Sequence, residues 1–216
     1  NDTLPELRLK ADDMLEFIGY YLSEGGLDNT SCRQVKFIQK DEENTNRIRE
    51  CIRRLGFSFK EFKYLYDKEM TCFNVYGKQL CLFLRDNFGG KSFEKRIPSK
   101  FLNISQRQLN ILFDALMLGD GSFDSRENRT SMTYHSISEK LIENVQEIAL
   151  KLGYSTKVAE KGNPTGFADY PSEYLCKRLL ISKGRDKHIS SIKRETYTGD
   201  VYCFETETGF YITLRN

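Results

Sequence analysis

The chain has 216 residues, 39% of them hydrophobic and 30% charged, and includes 15 Phe and 12 Tyr; aromatic content of that order supplies the core area that disordered chains lack. Lys and Arg number 33 against 31 Asp and Glu, a formal charge of +2 with a pI near 8.2, which by itself argues against a uniformly basic nucleic-acid-binding domain. No apolar run approaches the ~20 residues of a membrane helix, and the opening Asn1–Glu6 carries no secretory leader. The cysteines fall at irregular spacings, with only His135 and His188 to assist them, which argues against structural zinc. The expectation is an intracellular protein with reduced thiols, its Asn start marking a fragment or processed product.

In chain order, the first expected helix ends in Phe17–Gly25, FIGYYLSEG. A strand over Ser31–Gln39 precedes a helix over Asp41–Gly56, which Asp41 caps, Ile48, Ile52 and Leu55 stripe, and Gly56 closes. Strands over Phe57–Tyr66 and Met70–Tyr76 lead to a helix over Lys78–Phe88. The segment Lys95–Lys100 links this set to the next, with Pro98 breaking regular structure and Ser105 placed to cap a helix that ends in Phe113–Gly121, FDALMLGDG. A second series follows: a strand over Arg129–Ser136, a helix over Ser138–Gly153 striped by Val145, Ala149 and Leu152, strands over Tyr154–Glu160 and Glu173–Ser182, and a weaker helix near Arg185–Lys193.

The order helix, strand, helix, strand pair, helix thus occurs twice, just under half a chain length apart. It predicts an α+β fold of two pseudo-symmetric units, residues 1–104 and 105–189. A tail over residues 190–216 follows, alternating like a hairpin around a Thr-Gly turn.

Within the repeated motif, Gly19 and Ser23 share one helix face, as do Ala115 and Gly119. Two such small-residue stripes let helix backbones approach closely. Parallel pairing then sets Glu24 beside Asp120, each at a helix C-terminus already carrying about half a negative charge, with Gly25 and Gly121 expected to turn the chain away. Two such carboxylates repel unless a cation lies between them. Mg²⁺ suits this arrangement, since it takes one or two carboxylates, waters and phosphate oxygens. The residues therefore point to phosphodiester cleavage on a pseudo-twofold axis, which fits duplex DNA.

These two nine-residue segments resemble the LAGLIDADG homing endonucleases in their single-chain, two-motif form, and the likeness extends over roughly residues 12–190, including Arg96-Ile97-Pro98 ahead of the second motif. The resemblance implies αββαββα-type halves whose antiparallel sheets form a saddle over DNA, with the motif helices between them. It implies a monomeric, site-specific double-strand endonuclease using two or three Mg²⁺ ions, for which Mn²⁺ or Ca²⁺ substitutes in crystals. Glu24 and Asp120 would be the metal ligands, assisted by the carbonyls of Ser23 and Gly119. Lys78 and Lys183 would be the basic residues at the last strand of each half, and Gln39 and Ser136 the polar residues that position water. Glu24 stands where Asp is commoner and Ala115 where Gly is, an asymmetry that could make the two strand cleavages unequal.

The tail, from about Ser190 on, is similar to a late block of intein splicing domains, although splicing residues are missing: Asn1 is no nucleophile, no T-x-x-H occurs, and Asn216 follows Arg215. An intein-derived endonuclease is expected, and active splicing is not. On the strands, alternate polar and basic positions offer Arg33, Lys36, Lys60, Lys63, Asn74, Arg129, Thr133, Lys157, Lys177 and Arg178 to DNA grooves or phosphates. A one-residue slip in register would reverse any such facing. The competing reading is a non-cleaving DNA- or RNA-binding module, a maturase or regulator, on the same scaffold.

Overall fold

Two helices of nearly identical pattern build the centre. Helix α1 (Ala11–Glu24) buries Leu15, Phe17, Ile18, Gly19, Tyr20, Tyr21 and Leu22, and α5 (Gln106–Asp120) buries Leu109, Leu112, Phe113, Ala115, Leu116 and Met117. Burial so nearly all round marks both as central helices rather than amphipathic cover. They run parallel. Near their N-termini Arg107 forks onto Asp12 through Nη1 at 2.5 Å and Nη2 at 3.1 Å, and near their C-termini the small residues meet. A Cβ added to Gly19 would overlap that of Ala115, and one added to Gly119 would overlap the Ser23 side chain. The small-residue stripes therefore set the spacing of the pair.

Each helix carries its own antiparallel sheet. In the first half β1 (Gly25–Leu27), β2 (Gln34–Gln39), β3 (Phe59–Lys63) and β4 (Thr71–Tyr76) lie in the order β1-β2-β4-β3. In the second half β5 (Gly121–Asp124), β6 (Ser131–Ser136), β7 (Tyr154–Glu160) and β8 (Lys177–Lys183) repeat it as β5-β6-β8-β7. One face of each sheet packs inward: Val35, Phe37, Phe73 and Val75 in the first, Met132, Tyr134, Leu179 and Ile181 in the second. Each fully buried side chain of this size contributes roughly 1.5–3 kcal/mol of transfer free energy, so the two sheet faces and two central helices form one continuous core.

Outer helices complete each half. Helix α2 (Glu42–Leu55) is capped by Asp41, whose carboxylate accepts from Asn44 N, and ends on Gly56 in the left-handed region at φ 72°. Its counterpart α6 (Glu139–Lys151) is capped by Ser138, which accepts from Leu141 N, with Gly153 at φ 85° beyond it. Helix α3 (Lys78–Phe88) follows β4, and the short α4 (Ser99–Leu102) starts directly after Pro98. Ser105 accepts from Gln108 N at the head of α5. The described residues are 6–28, 32–64, 69–124, 131–160, 175–183, 193–194 and 196–200 of a computed structural model that divides into two compact units, Asn1–Arg185 and Asp186–Asn216. The expected helix at Arg185–Lys193 and most of the tail hairpin fall outside the described residues.

Two features differ from the sequence reading. The motif glycines do not turn the chain in a left-handed cap: Gly25 and Gly121 are extended, at φ −86° and −90°, and open β1 and β5. What they require is space, because a Cβ at Gly25 would lie 2.6 Å from the Tyr21 ring and one at Gly121 would collide with the Met117 carbonyl. The strands β1 and β5 were not expected from local pattern. At 3 and 4 residues they are too short to show alternation, and they exist because β2 and β6 offer free edges to the chain leaving each motif helix.

Candidate functional site

The C-termini of α1 and α5 converge, and with them the two acids. The last carbonyls of a helix have no intrahelical donors, so this end of the pair collects two carboxylates and several peptide oxygens, those of Ser23 and Gly119 among them. Outside groups satisfy part of this set. Asn44 Nδ2, from α2, donates to Leu118 O at 3.0 Å, and Lys95 Nζ donates to Tyr21 O and Gly25 O, both at 2.8 Å.

Lys95 is the residue that sequence reasoning missed. It lies in the linker between the halves, is 4% exposed, and has its ammonium 5.2 Å from the centre of the Tyr21 ring. Its backbone is fixed from the second half, where Ser138 Oγ donates to Lys95 O at 2.6 Å and Asn144 Oδ1 accepts from Ile97 N at 2.8 Å. A buried lysine is costly unless compensated, and here its ammonium is held by the Tyr21 and Gly25 carbonyls, with the charges of Asp120 and Glu24 favouring its protonated form. A lysine directly before the Arg-Ile-Pro segment was the available signal.

The electrostatics follow from burial. Asp120 is pushed up to about 7, first by desolvation and then by the charge of Glu24, with Lys95 opposing. Glu24 is also raised by desolvation, offset by a hydrogen bond from Gln39 and by Lys95. Lys95 is lowered to about 8 by desolvation, against the pull of Asp120 and Glu24. Three titrating groups thus share one low-dielectric pocket, the arrangement in which active sites place their acids and bases.

The two halves differ in how they serve their acids. In the first, Gln39 at the end of β2 donates from Nε2 to Glu24 Oε1 at 3.3 Å, while its Oε1 accepts from Lys40 N and Asp41 N. In the second, Ser136 occupies the equivalent end of β6 but its hydroxyl accepts from Ser138 N at 3.1 Å. Ser136 also lines a cleft of about 260 Å³ with Asp120, Lys95, Ser23, His135 and Cys176.

Lys78 and Lys183 do not reach the acids. The acid end of each sheet is marked by Gln39 opposite Thr71 and by Ser136 opposite Lys177. Lys183 lies six residues along β8 from Lys177, ~20 Å at ~3.3 Å per residue, and Lys78 lies beyond Tyr76 at the far end of β4. The last strand of each half runs away from the site, so its final residue is the remote one.

Register also sorts the expected DNA contacts. Lys36, Asn74 and Lys60 form one cross-strand row on the face of the first sheet opposite the core. Thr133 and Lys157 flank Leu180 in the corresponding row of the second, and Arg178 lies opposite His135 on the same face. Lys63 falls in the other set, in a row with Thr71 and Gln39, and donates to Thr71 Oγ1 at 3.2 Å. Lys177 likewise shares the core-side parity and pairs with Glu139 at 2.5 Å. Arg33 is exposed just before β2, and Arg129 lies outside the described residues.

Hard oxygen donors dominate the centre: two carboxylates, helix-terminal carbonyls and one amide. That set suits a divalent cation of the Mg²⁺ type, with waters or phosphate filling the remaining positions. Among the described residues no group of three or more His, Cys, Asp or Glu side chains stands ready to hold a metal ion.

Comparison with known proteins finds likenesses to part of the sequence and to the fold. Residues 108–189 match the LAGLIDADG-like domain. The ATP-dependent DNA helicase Hel308 of Methanocaldococcus jannaschii is 26% identical over 208 residues, covering 89% of this chain and 16% of that protein. The ATP-dependent Clp protease proteolytic subunit of Chlamydomonas moewusii is 25% identical over 176 residues, covering 76% and 16%. The chain therefore spans about a sixth of the length of these relatives. Among solved structures, I-DmoI in complex with DNA and Mn superposes with a TM-score of 0.53 at 14% identity, over 80% of this chain and 90% of that one. The N-terminal LAGLIDADG domain of DUF199/WhiA superposes with a TM-score of 0.53 at 10% identity, over 83% and 80%. The fold, two antiparallel four-stranded sheets around a central helix pair, is the one shared with these two solved structures.

Proposed function

We propose that this chain, which has the LAGLIDADG fold in two linked copies, is a site-specific DNA endonuclease that uses a divalent cation, Mg²⁺ by preference, to hydrolyse both strands of a duplex as a monomer. The observation that carries this reading is the convergence of Glu24 and Asp120 at the two helix ends, together with the buried Lys95 between the halves. A site for binding alone has no need of two desolvated carboxylates that repel each other. The likeness to I-DmoI, described with DNA and Mn and as a homing endonuclease, supports the substrate and the metal class.

Glu24, Asp120 and the carbonyls of Ser23 and Gly119 would hold the cation, which when bound supplies charge neutralisation at the scissile phosphate and a more acidic water. The chain's own groups do the rest. Gln39 fixes one carboxylate oxygen of Glu24 and leaves the other free. Lys95, with two of its three N–H bonds committed to Tyr21 O and Gly25 O, directs its remaining charge at the acid pair and at any phosphate bound there. Lowered to about 8 by burial in the cation-free site, it is charged at neutral pH. Lys36, Asn74 and Lys60, with Thr133, Lys157 and Arg178, would hold and read the duplex on the open sheet faces.

A protease subunit and DNA helicases have little work in common, yet a segment like this chain recurs in each. This supports an element inserted into host genes, of the intein-derived kind that the tail resembles. The test is incubation of the purified chain with a randomised duplex library, with Mg²⁺ or with chelator. Recovery of a defined subset cut on both strands only with Mg²⁺ is expected. Selective binding without any cut product would instead establish the non-cleaving module, a reading that the shared fold of WhiA keeps in view.

A further inference from the structure

Among the described residues one buried side-chain polar atom lacks a hydrogen-bond partner, the hydroxyl of Tyr134. Tyr134 is 0% exposed and stands on the core face of β6 directly opposite Gly121, the residue that follows Asp120. Its place in the first half is taken by Phe37, likewise 0% exposed and directly opposite Gly25. The pseudo-symmetry thus gives an internal control: a phenyl ring satisfies the packing at this position, and the second half adds a hydroxyl to it. An unpartnered buried hydroxyl ordinarily costs ~1–3 kcal/mol, so packing does not account for it. Both Asp120 and Glu24 act electrostatically on the phenol, and together with burial they hold it in its neutral, hydrogen-donating form.

We propose that Tyr134 is the positioning residue for Asp120 in the cation-loaded site, its hydroxyl donating to the ionised carboxylate or to the cation's water. This fills in the second half the role that Gln39 fills for Glu24 in the first. Ser136, at the strand end that Gln39 occupies in the first half, has its hydroxyl directed to Ser138 N, from which it accepts at 3.1 Å. The two halves therefore orient their acids from different strand positions: Gln39 at the end of β2, and Tyr134 two residues before the equivalent end of β6. Outer partners of this kind typically govern metal affinity by 10–100-fold.

The inference rests on the cation reading above, and its test separates the two. Mn²⁺ affinity is measured by calorimetric titration of the intact chain, beside thermal melts without metal, for the wild type, Tyr134→Phe and Asp120→Asn. The expected result is that Tyr134→Phe melts at or above the wild-type temperature without metal, because the orphan hydroxyl is gone, yet binds Mn²⁺ roughly tenfold more weakly, while Asp120→Asn loses binding. Wild-type Mn²⁺ affinity in Tyr134→Phe, with binding still lost in Asp120→Asn, overturns the role of Tyr134 and leaves the site standing. Binding that Asp120→Asn does not disturb overturns the cation reading, and this inference with it.

Discussion

The first half and the second half are nearly the same fold and not the same chemistry. Strand order, caps and central helices repeat, whereas the acids differ by a methylene, Gln39 touches Glu24, Ser136 turns toward Ser138, and a single Lys95 from the linker serves both. Backbone symmetry is imposed by packing, which each half must satisfy separately. The polar groups at the shared end are under no such packing constraint, so nothing forces them to match. Such a site has two unequal halves by construction.

The largest expected effect comes from breaking the contact on which the comparison depends. Gly19→Val forces a branched side chain into Ala115 and should destabilise by ~3 kcal/mol or more, lowering the melting temperature by roughly 6–12 °C. Gly56→Ala, at a left-handed cap with open space around it, should cost only ~1 kcal/mol.

Lys95→Met comes next. It keeps the volume but takes one charge out of a buried set and removes the donor to Tyr21 O and Gly25 O, so the metal-free fold should lose ~3 kcal/mol. Cutting of the selected site should fall by at least ~100-fold with binding in a gel-shift assay preserved. Loss of folding instead would make Lys95 structural.

The same three groups set a pH signature in the metal-free protein. Asp120 keeps its proton up to about 7 in the fold, against 3.8 for the free group, so stability declines as pH rises from ~4 to ~7. Lys95, lowered from 10.5 to about 8, loses its proton earlier in the fold than in the unfolded chain, so stability recovers from ~8 to ~10.5. Chemical denaturation across pH should show a minimum near 7–8 that divalent cation fills in, and Asp120→Asn should remove most of the acid-side decline, leaving the part due to Glu24.

The asymmetry itself is sharpened by Gln39→Ala against Ser136→Ala. The first should slow one strand's cleavage by about tenfold and accumulate nicked circular DNA, and the second should change the nicked fraction little. The smallest effects belong to the open faces. Lys36→Ala or Lys60→Ala should each reduce the salt slope of binding by about one, and Lys177→Ala, paired with Glu139 on the other side of its sheet, should leave it unchanged.

How much of this was legible in the sequence depends on the scale of the signal. Helices with caps and stripes were: the expected range of Lys78–Phe88 is the observed one, as is the strand Tyr154–Glu160. The motif pair was legible because its small residues and acids recur in order. Lys95 was not, since a lysine in a linker looks solvated until the fold buries it. Lys78 and Lys183 were misplaced because strand direction, invisible in the sequence, decides which end of a strand meets the acids. Lys63 and Lys177 were misjudged for the related reason that parity depends on register. Tyr134 carries no signal of its own in the sequence, and only its comparison with Phe37 sets its hydroxyl apart.

The most direct measurement is double-strand cleavage of a library-selected site by the wild type, Glu24→Gln and Asp120→Asn, each with Mg²⁺ and each checked for DNA binding. The expected result is Mg²⁺-dependent linear product from the wild type and none from either variant, with binding retained in all three. Full cleavage by either variant, or binding by the wild type with no cleavage at any site, would contradict the assignment of the paired acids as the catalytic centre.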